Sequence, residues 1–143
     1  MVEFIVSSEK KLVIERFHNK VCLDLLVNAS HAIWNHLDYD IYLKGLADIR
    51  GCKIEIGIKD IPQLTAFFFN NAKTAKGFMV ILADSQQGIA KSFIFKSKMS
   101  KLMNIHITSS LEDAFRNLGI DESVYDLINS EKAQQIQAKT TVA

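Results

Sequence analysis

The chain has 143 residues, the length of one domain, and it is too short for two full hydrophobic cores. Apolar residues make up 48% of it and charged residues 23%, so burial of a core does not depend on disulfide or metal cross-links. The formal net charge is +1, from 17 basic and 16 acidic residues, which argues against a strongly basic nucleic-acid-binding surface.

The cysteines and the N-terminal residues bear on the compartment. Cys22 and Cys52 are the only cysteines and form no CxxC motif, so we expect two free thiols in a reducing compartment. The first residues lack the charged and apolar regions of a signal peptide. No stretch reaches the roughly 18 consecutive apolar residues of a transmembrane helix. These features predict a cytoplasmic protein without a transmembrane segment.

The N-terminal residues predict an antiparallel β-hairpin. Residues 3–6 and 12–17 are rich in β-branched and aromatic side chains, and a polar turn separates them. Within the second segment Val13, Glu15 and Phe17 share one face, while the other face also carries apolar side chains. We therefore expect at least part of the hairpin to be covered on both sides.

A helix and two strands follow the hairpin. Residues 21–37 have helical periodicity, with Leu25, Ala29 and Ile33 spaced by four residues. Residues 46–50 are predicted to form a central strand. Residues 53–56 alternate between polar and apolar, which indicates a short edge strand or an extended connection.

The middle of the chain predicts a helix, a buried strand and another helix. Asp60 and Pro62 are typical of the first turn of a helix, and an apolar stripe follows them. Residues 78–83, FMVILA, form a continuous apolar run, as in a strand that is covered on both faces. Asp84 and Ser85 can then cap a helix over residues 86–99.

The last part of the chain predicts one strand and two helices. Residues 103–108 read as a strand. The capping box SSLE at residues 109–112 precedes a short helix that ends at Gly119. Residues 121 to about 135 are predicted to form a further helix, and the final AKTTVA is expected to be frayed.

This order of elements predicts the fold class. After the hairpin, strands alternate with helices, which requires crossover connections and therefore a mostly parallel sheet. We predict a single α/β domain in which an N-terminal β-hairpin joins a mostly parallel central sheet covered by helices. Residues 1–120 form this domain, and residues 121–143 form a C-terminal helix and tail.

Three segments carry a resemblance to a known family: GLADIR at residues 45–50, FMVILAD at 78–84 and SSLEDAFRNLG at 109–119. With the order of elements around them, they resemble the STAS superfamily, and within it the SpoIIAA-like domains related to anti-sigma-factor antagonists. The resemblance covers about residues 2–119. It implies a non-enzymatic regulatory or protein-interaction module. In the antagonists a phosphorylated Ser begins the helix after the central strand. The matching residues here, 58–62, contain no Ser or Thr, so this role is not carried over.

The same resemblance implies an alternative function. SpoIIAA-like domains resemble lipid-transfer folds, so the partner is either a protein or a small hydrophobic ligand such as a lipid. A symmetric homodimer is the commonest assembly for a protein of this kind. The resemblance assigns no residues to ligand binding.

Parallel α/β sheets bind ligands beyond the carboxyl ends of their strands. Asp48 and Arg50 end one predicted strand, and Asp84 and Ser85 follow another. These four residues are therefore candidates for a ligand or partner site. The same residues also suit a local ion pair and helix caps, so both interpretations stay open.

The run Phe67-Phe68-Phe69 is a second candidate site. One helix face cannot bury three consecutive rings against a single surface. Either neighbouring elements sandwich the helix, or a ring such as Phe67 or Phe69 lines a pocket or an oligomer interface. Trp34 and Tyr42 could join such a patch.

The sequence predicts no catalytic residue, metal ligand or cofactor. A hydrolase would use Ser85 with His106 and an Asp, but no GxSxG motif surrounds Ser85, and His106 falls inside a strand. The four histidines form no HExxH or Cys/His cluster, and the glycines form no phosphate-binding loop. A hydrolase is the least favoured of the three function classes.

Overall fold

The structure is a computed structural model that describes residues 1–137. Its helices and strands follow the predicted alternation, with two additional short strands. They are β1 (Val2–Ser7), β2 (Leu12–Phe17), β3 (Lys20–Cys22), α1 (Leu23–Trp34), β4 (Lys44–Asp48), β5 (Lys53–Glu55), α2 (Asp60–Phe69), β6 (Phe78–Leu82), α3 (Gln86–Met99), β7 (Asn104–Thr108), α4 (Leu111–Leu118), α5 (Glu122–Tyr125), a 3-10 helix (Asp126–Asn129) and β8 (Gln134–Ile136).

A mixed six-stranded sheet with the order β7-β6-β4-β2-β1-β8 forms the centre of the domain. Strands β2, β4, β6 and β7 are parallel, β1 is antiparallel to β2, and β8 is antiparallel to β1. Leu46 of β4 pairs with Val80 of β6, and Met79 pairs with Ile105 of β7. The predicted single α/β domain, with a hairpin next to neighbouring parallel strands, is therefore confirmed.

Helices cover both faces of this sheet. On one face, side chains such as Val13 and Phe17 of β2 pack against α1 and α2, and Ile105 of β7 packs against α3. We call these three helices the α1–α3 layer. On the opposite face Ile14, Leu46 and other side chains pack against α4 and the residues that follow it. The expectation that the hairpin is covered on both sides is confirmed.

The strands β3 and β5 form a separate two-stranded parallel sheet. The predicted first helix therefore begins at Leu23 and not at Val21, because Lys20–Cys22 extends and pairs with Lys53–Glu55. Both cysteines are free thiols, as expected. The thiol of Cys52 is buried and donates to the carbonyl oxygen of Phe17, and burial raises its pKa.

The segment after Gly119 differs from the sequence prediction. The expected helix over residues 121 to about 135 is wrong beyond Asn129: α5 has four residues, the 3-10 helix follows, and Gln134–Ile136 is the strand β8. β8 pairs with β1, which otherwise would expose a row of unpaired backbone N–H and C=O groups at the sheet edge. The tail expected at residues 138–143 lies outside the described residues.

Within residues 1–137, none of the helices combines the length and the apolar character needed to cross a bilayer.

Candidate functional site

An apolar cavity lies between the sheet and the α1–α3 layer, and we call it the core cavity. Its volume is about 110 Å³, and its walls are almost entirely carbon. Five side chains of the main sheet form its floor, and residues of the three helices and of the two-stranded sheet form most of the remaining wall. The lining residues are Glu15, Phe17, Val21, Leu26, Ser30, Ala47, Ile49, Ile54, Ile56, Ile61, Leu64, Phe68, Met79, Ile81, Gly88, Lys91, Ser92 and Phe95.

Small residues on facing elements leave this space unfilled. Ala47 lies in the middle of β4, and Ser92 of α3 contributes only a hydroxymethyl group. Gly88 is also small for a local reason: a Cβ there would lie 2.9 Å from the Oγ of Ser85, which caps α3. The cavity thus results from small residues at positions where the sheet and the helices face each other.

Among the residues that the structure describes, Glu15 is the only acidic one that lines the core cavity. It lies in β2 between Phe4 of β1 and Ala47 of β4, and its half-buried side chain forms part of the cavity wall. Burial raises the pKa of Glu15 to about 7, and no neighbouring charge or hydrogen bond offsets this effect. Glu15 is therefore a carboxyl group without a partner inside an apolar space.

Three other polar side chains reach the cavity wall. Ser30 donates its hydroxyl proton to the carbonyl oxygen of Leu26 at 2.8 Å, so its oxygen remains available as an acceptor. Ser92 is buried on α3. Within residues 1–137, Lys91 is the only cationic side chain that lines the cavity, and burial, not Lys91, is the cause of the shifted pKa of Glu15. The charge of Glu15 is thus not balanced by the wall.

The run Phe67-Phe68-Phe69 is divided among three environments. Phe68 lines the core cavity and contacts Phe95 edge-on. Phe67 stacks on Trp34, with ring centroids 5.2 Å apart, and Phe69 remains 46% exposed. The helix is therefore packed on two sides, and the ring that reaches a pocket is Phe68, not Phe67 or Phe69. Tyr42, 71% exposed, is not among the rings stacked on this group.

A second polar group lies at the carboxyl end of β4, where the sequence placed candidate residues. Arg50 binds the buried carboxylate of Asp48 through both Nε, at 3.0 Å, and a terminal nitrogen, at 2.8 Å. Tyr125, which the sequence analysis did not single out, donates its hydroxyl to the same carboxylate. We call these three residues the Asp48 cluster.

Within the Asp48 cluster, Arg50 and Tyr125 supply the hydrogen bonds and the positive charge that the carboxylate of Asp48 needs. Burial alone would raise the pKa of Asp48, but hydrogen bonds from Arg50 and Tyr125 outweigh it, and the net pKa is lowered. The partners respond in the expected direction: the pKa of Arg50 is raised by the bond to Asp48, and burial followed by the same carboxylate raises that of Tyr125. This arrangement matches the local ion pair that the sequence allowed.

Asp84 and Ser85 lie at the same edge of the sheet and make local contacts. Asp84 accepts a hydrogen bond from the backbone N–H of Gly51 at 3.0 Å, which ties the turn after Arg50 to the end of β6. Ser85 caps α3 by accepting from the N–H of Gly88 at 3.0 Å. The structure thus brings the four candidates to one edge, with their polar atoms engaged by the protein.

Ser85 and His106 are not brought together. The side chain of His106 lies 2.8 Å from Asp113 of α4, on the face of the sheet opposite α3. Ser85 begins α3, which packs on the other face beside Ile105. The two members of the least favoured hydrolase hypothesis therefore face away from each other.

The place of Glu15 in the cavity wall was not predicted from the sequence, although a signal was present. A carboxyl group stands between Val13 and Phe17 on a strand face that was expected to be covered. Burial of a carboxylate is costly without a hydrogen-bond donor or a positive charge, so a partner for Glu15 was to be expected. Tyr125 had no comparable signal, because its partner lies 77 residues away.

No protein-family model, curated protein or solved structure matches this chain. The chemistry of its own residues is therefore the basis for a functional proposal.

Proposed function

We propose that this chain is a non-enzymatic domain that binds a small apolar molecule in the core cavity. The observation that supports the proposal is a cavity of about 110 Å³ with an almost entirely apolar wall in the middle of the fold. Apolar cavities of similar size take up ligands: an engineered cavity of roughly 150 Å³ lined by aliphatic and aromatic side chains binds benzene. A ligand of about one ring therefore suits the space.

The cost of an empty cavity also supports this function. Protein interiors pack as densely as organic crystals and hold few voids larger than a water molecule. Apolar side chains around an unfilled space lack the packing contacts of the rest of the core, which lowers stability. A ligand that fills the space restores the lost contacts. Such a ligand binds the folded state alone and so shifts the folding equilibrium towards it.

The relationship to STAS and SpoIIAA-like domains is part of the same proposal. It is supported by the hairpin followed by alternating strands and helices and by the segments at residues 45–50, 78–84 and 109–119. Domains of this type are regulatory modules. Because residues 58–62 contain no Ser or Thr, we propose that occupancy of the cavity, rather than phosphorylation at this position, is the regulatory input.

Binding of toluene tests the proposal with a probe that has the size of the cavity and no charge. In two-dimensional NMR spectra of the whole chain, we expect saturable shifts of the methyl groups of Ala47 and Ile81, which line the cavity. The variant Ser92→Leu places a larger side chain in the cavity and should abolish these shifts. Ser97→Leu, an exposed position on the same helix, should retain them. Absence of saturable shifts in the wild type would overturn the proposal.

A second candidate function is protein interaction through α3. Phe93 and Ile94 are 52% and 43% exposed on the outer side of this helix, an unusual position for large apolar side chains. A second copy of the chain is the simplest partner, as in the expected homodimer. Light scattering coupled to gel filtration should then show a dimer for the wild type and for Leu37→Asp, which changes a fully exposed position elsewhere. Phe93→Asp should be a monomer, and a monomeric wild type would contradict self-association.

A further inference from the structure

We propose that the ligand of the core cavity is a cationic amine with an apolar body of about one ring, whose ammonium group pairs with the carboxylate of Glu15. This inference rests on the ligand-binding function proposed above and adds the chemical class of the ligand. It depends on one feature of the cavity: a single acidic side chain stands in an otherwise apolar wall without a partner of its own.

The position of Glu15 leaves few ways to satisfy its carboxyl group. The main chain of β2 is paired on both sides, with β1 and β4, and the side chains next to Glu15 across those strands are Phe4 and Ala47. Neither can donate a hydrogen bond. A carboxylate in such surroundings is costly unless a positive charge or hydrogen-bond donors reach it. A ligand that enters the cavity is the group that can do so.

The other charged and polar lining groups favour a cation. From α1 the wall offers the hydroxyl of Ser30, and from α3 it offers Ser92 and Lys91. Lys91 is the only other charged group among the described residues that line the cavity, and the raised pKa of Glu15 is caused by burial. An anionic ligand would meet the negative charge of Glu15, whose strand neighbours Phe4 and Ala47 offer no donor. An ammonium group, in contrast, gains a charge-assisted hydrogen bond in a region of low dielectric constant.

The apolar part of the wall determines the size and the hydrocarbon character of the rest of the ligand. Leu64, Phe68 and Ile81 bring hydrophobic surface from α2 and β6. A cavity of about 110 Å³ holds a body close to the size of a benzene or cyclohexane ring. The expected ligand is therefore a compact primary or secondary amine on a cyclic or branched hydrocarbon.

Three probes of similar size separate this proposal from the binding function on which it rests. Cyclohexylamine carries the charge, cyclohexanol replaces it with a hydroxyl group, and toluene has neither. Calorimetric titrations at about pH 5.5 and about pH 8.5 bracket the pKa of Glu15, which burial raises to about 7, while cyclohexylamine stays cationic at both. We expect the affinity for cyclohexylamine to be about tenfold or more higher at the upper pH, and that for toluene to be nearly unchanged.

The variant Glu15→Gln keeps the shape of the side chain and removes its charge. It should bind toluene like the wild type, bind cyclohexylamine about tenfold or more weakly at the upper pH, and lose the pH dependence. The comparison of the two pH values uses only the wild type. It therefore tests the pairing of the amine with Glu15 even if Glu15→Gln folds poorly. Glu9→Gln makes the same change at an exposed position outside the cavity and is the matched control, so this variant should still prefer cyclohexylamine to toluene.

Two results would overturn the amine proposal. If toluene binds while cyclohexanol is preferred to cyclohexylamine at both pH values, the cavity holds a neutral ligand. If Lys91→Gln raises the pKa of Glu15 in an NMR titration, then Lys91 is its partner in solution and no ligand cation is needed. If neither cyclohexylamine nor toluene binds, the proposed ligand-binding function fails together with the amine proposal.

Discussion

Tyr125 donates its hydroxyl proton to the carboxylate of Asp48, 77 residues earlier in the chain, with the two oxygens 2.5 Å apart. This bond connects the segment after α4 to the carboxyl end of β4. It also completes the partners of a carboxylate that is only 3% exposed. The Asp48 cluster thus fastens the C-terminal segment to the sheet, which in turn places β8 next to β1.

The first prediction concerns this bond. Tyr125→Phe removes the hydroxyl group and leaves a buried carboxylate with one donor side chain fewer. The free energy of unfolding, measured by urea denaturation, should fall by about 2 kcal/mol, as for hydrogen bonds to charged groups. Tyr42→Phe, at an exposed position, should change it by less than about 0.5 kcal/mol. Equal values for the two variants would mean that the Tyr125 hydroxyl does not stabilise the fold.

Arg50→Lys tests the bidentate geometry of the same cluster. Lysine cannot reproduce the two parallel hydrogen bonds of the guanidinium group, so the pKa of Asp48 should rise towards its usual value. Because the folded-state pKa is lowered, Asp48 stabilises the fold above its unfolded-state pKa, and this contribution is lost as the pH falls through the folded-state pKa. Acid unfolding of Arg50→Lys should therefore begin at higher pH than that of the wild type.

The control for this variant is Arg116→Lys. Arg116 is largely exposed and lies 3.9 Å from Asp113, so its replacement should leave the acid unfolding curve unchanged. If Arg50→Lys and Arg116→Lys unfold at the same pH, the bidentate pair contributes nothing to acid stability.

For Glu15 we predict a pH dependence of stability opposite in sign to that of Asp48. The folded-state pKa of Glu15 is raised to about 7 from an ordinary value of 4.5, so the folded state binds the extra proton between these pH values. The contribution of Glu15 to stability is therefore most favourable below about pH 4.5 and is lost as the pH rises through about 7. A shift of this size corresponds to about 3 kcal/mol.

The measurement is the difference in the free energy of unfolding between the wild type and Glu15→Gln, taken from urea denaturation without ligand at several pH values. The variant should gain stability relative to the wild type as the pH rises from about 4.5 to about 7, and the difference should be level above that range. A difference that is independent of pH would show that Glu15 is ionised normally in the folded protein.

Much of the fold could be predicted from local sequence. The strand Leu12–Phe17 and the helix Gln86–Met99 have the predicted bounds. In the first case β-branched and aromatic residues end at turn signals, and in the second Ser85 provides the expected N-cap. These signals act over a few residues, so they do not depend on the rest of the fold. Gly119, with φ of 68°, likewise ends α4 as predicted.

Features that depend on distant residues could not be predicted in this way. The strand Gln134–Ile136 has no marked β-strand pattern, and it forms because the edge of β1 is open beside it. The pairing of β3 with β5 likewise joins residues that are more than thirty positions apart. The sequence placed Asp48 and Arg50 close together after the central strand, and the structure pairs them there. The cavity, in contrast, depends on small residues from separate elements, such as Ala47 and Ser92.

Ser92→Leu should stabilise the protein in the absence of ligand. The larger side chain fills part of the core cavity and buries additional apolar surface, which should raise the free energy of unfolding by about 1 kcal/mol. Ser97→Leu makes the same change in helix propensity at an exposed position of α3. The difference in the free energy of unfolding between the two variants therefore measures the effect of filling the cavity. If Ser92→Leu is instead less stable than Ser97→Leu, the space at this position is already filled by the surrounding side chains.

The most direct test of the binding cavity is a crystal structure of the protein under xenon pressure. Xenon enters apolar cavities of this size without needing any specific chemical group. We predict a xenon atom between Ala47 of the sheet and Ser92 and Phe95 of α3, with the surrounding side chains unmoved. A structure without xenon at that position, in which the α1–α3 layer has closed onto Ala47, would contradict the existence of a preformed binding cavity.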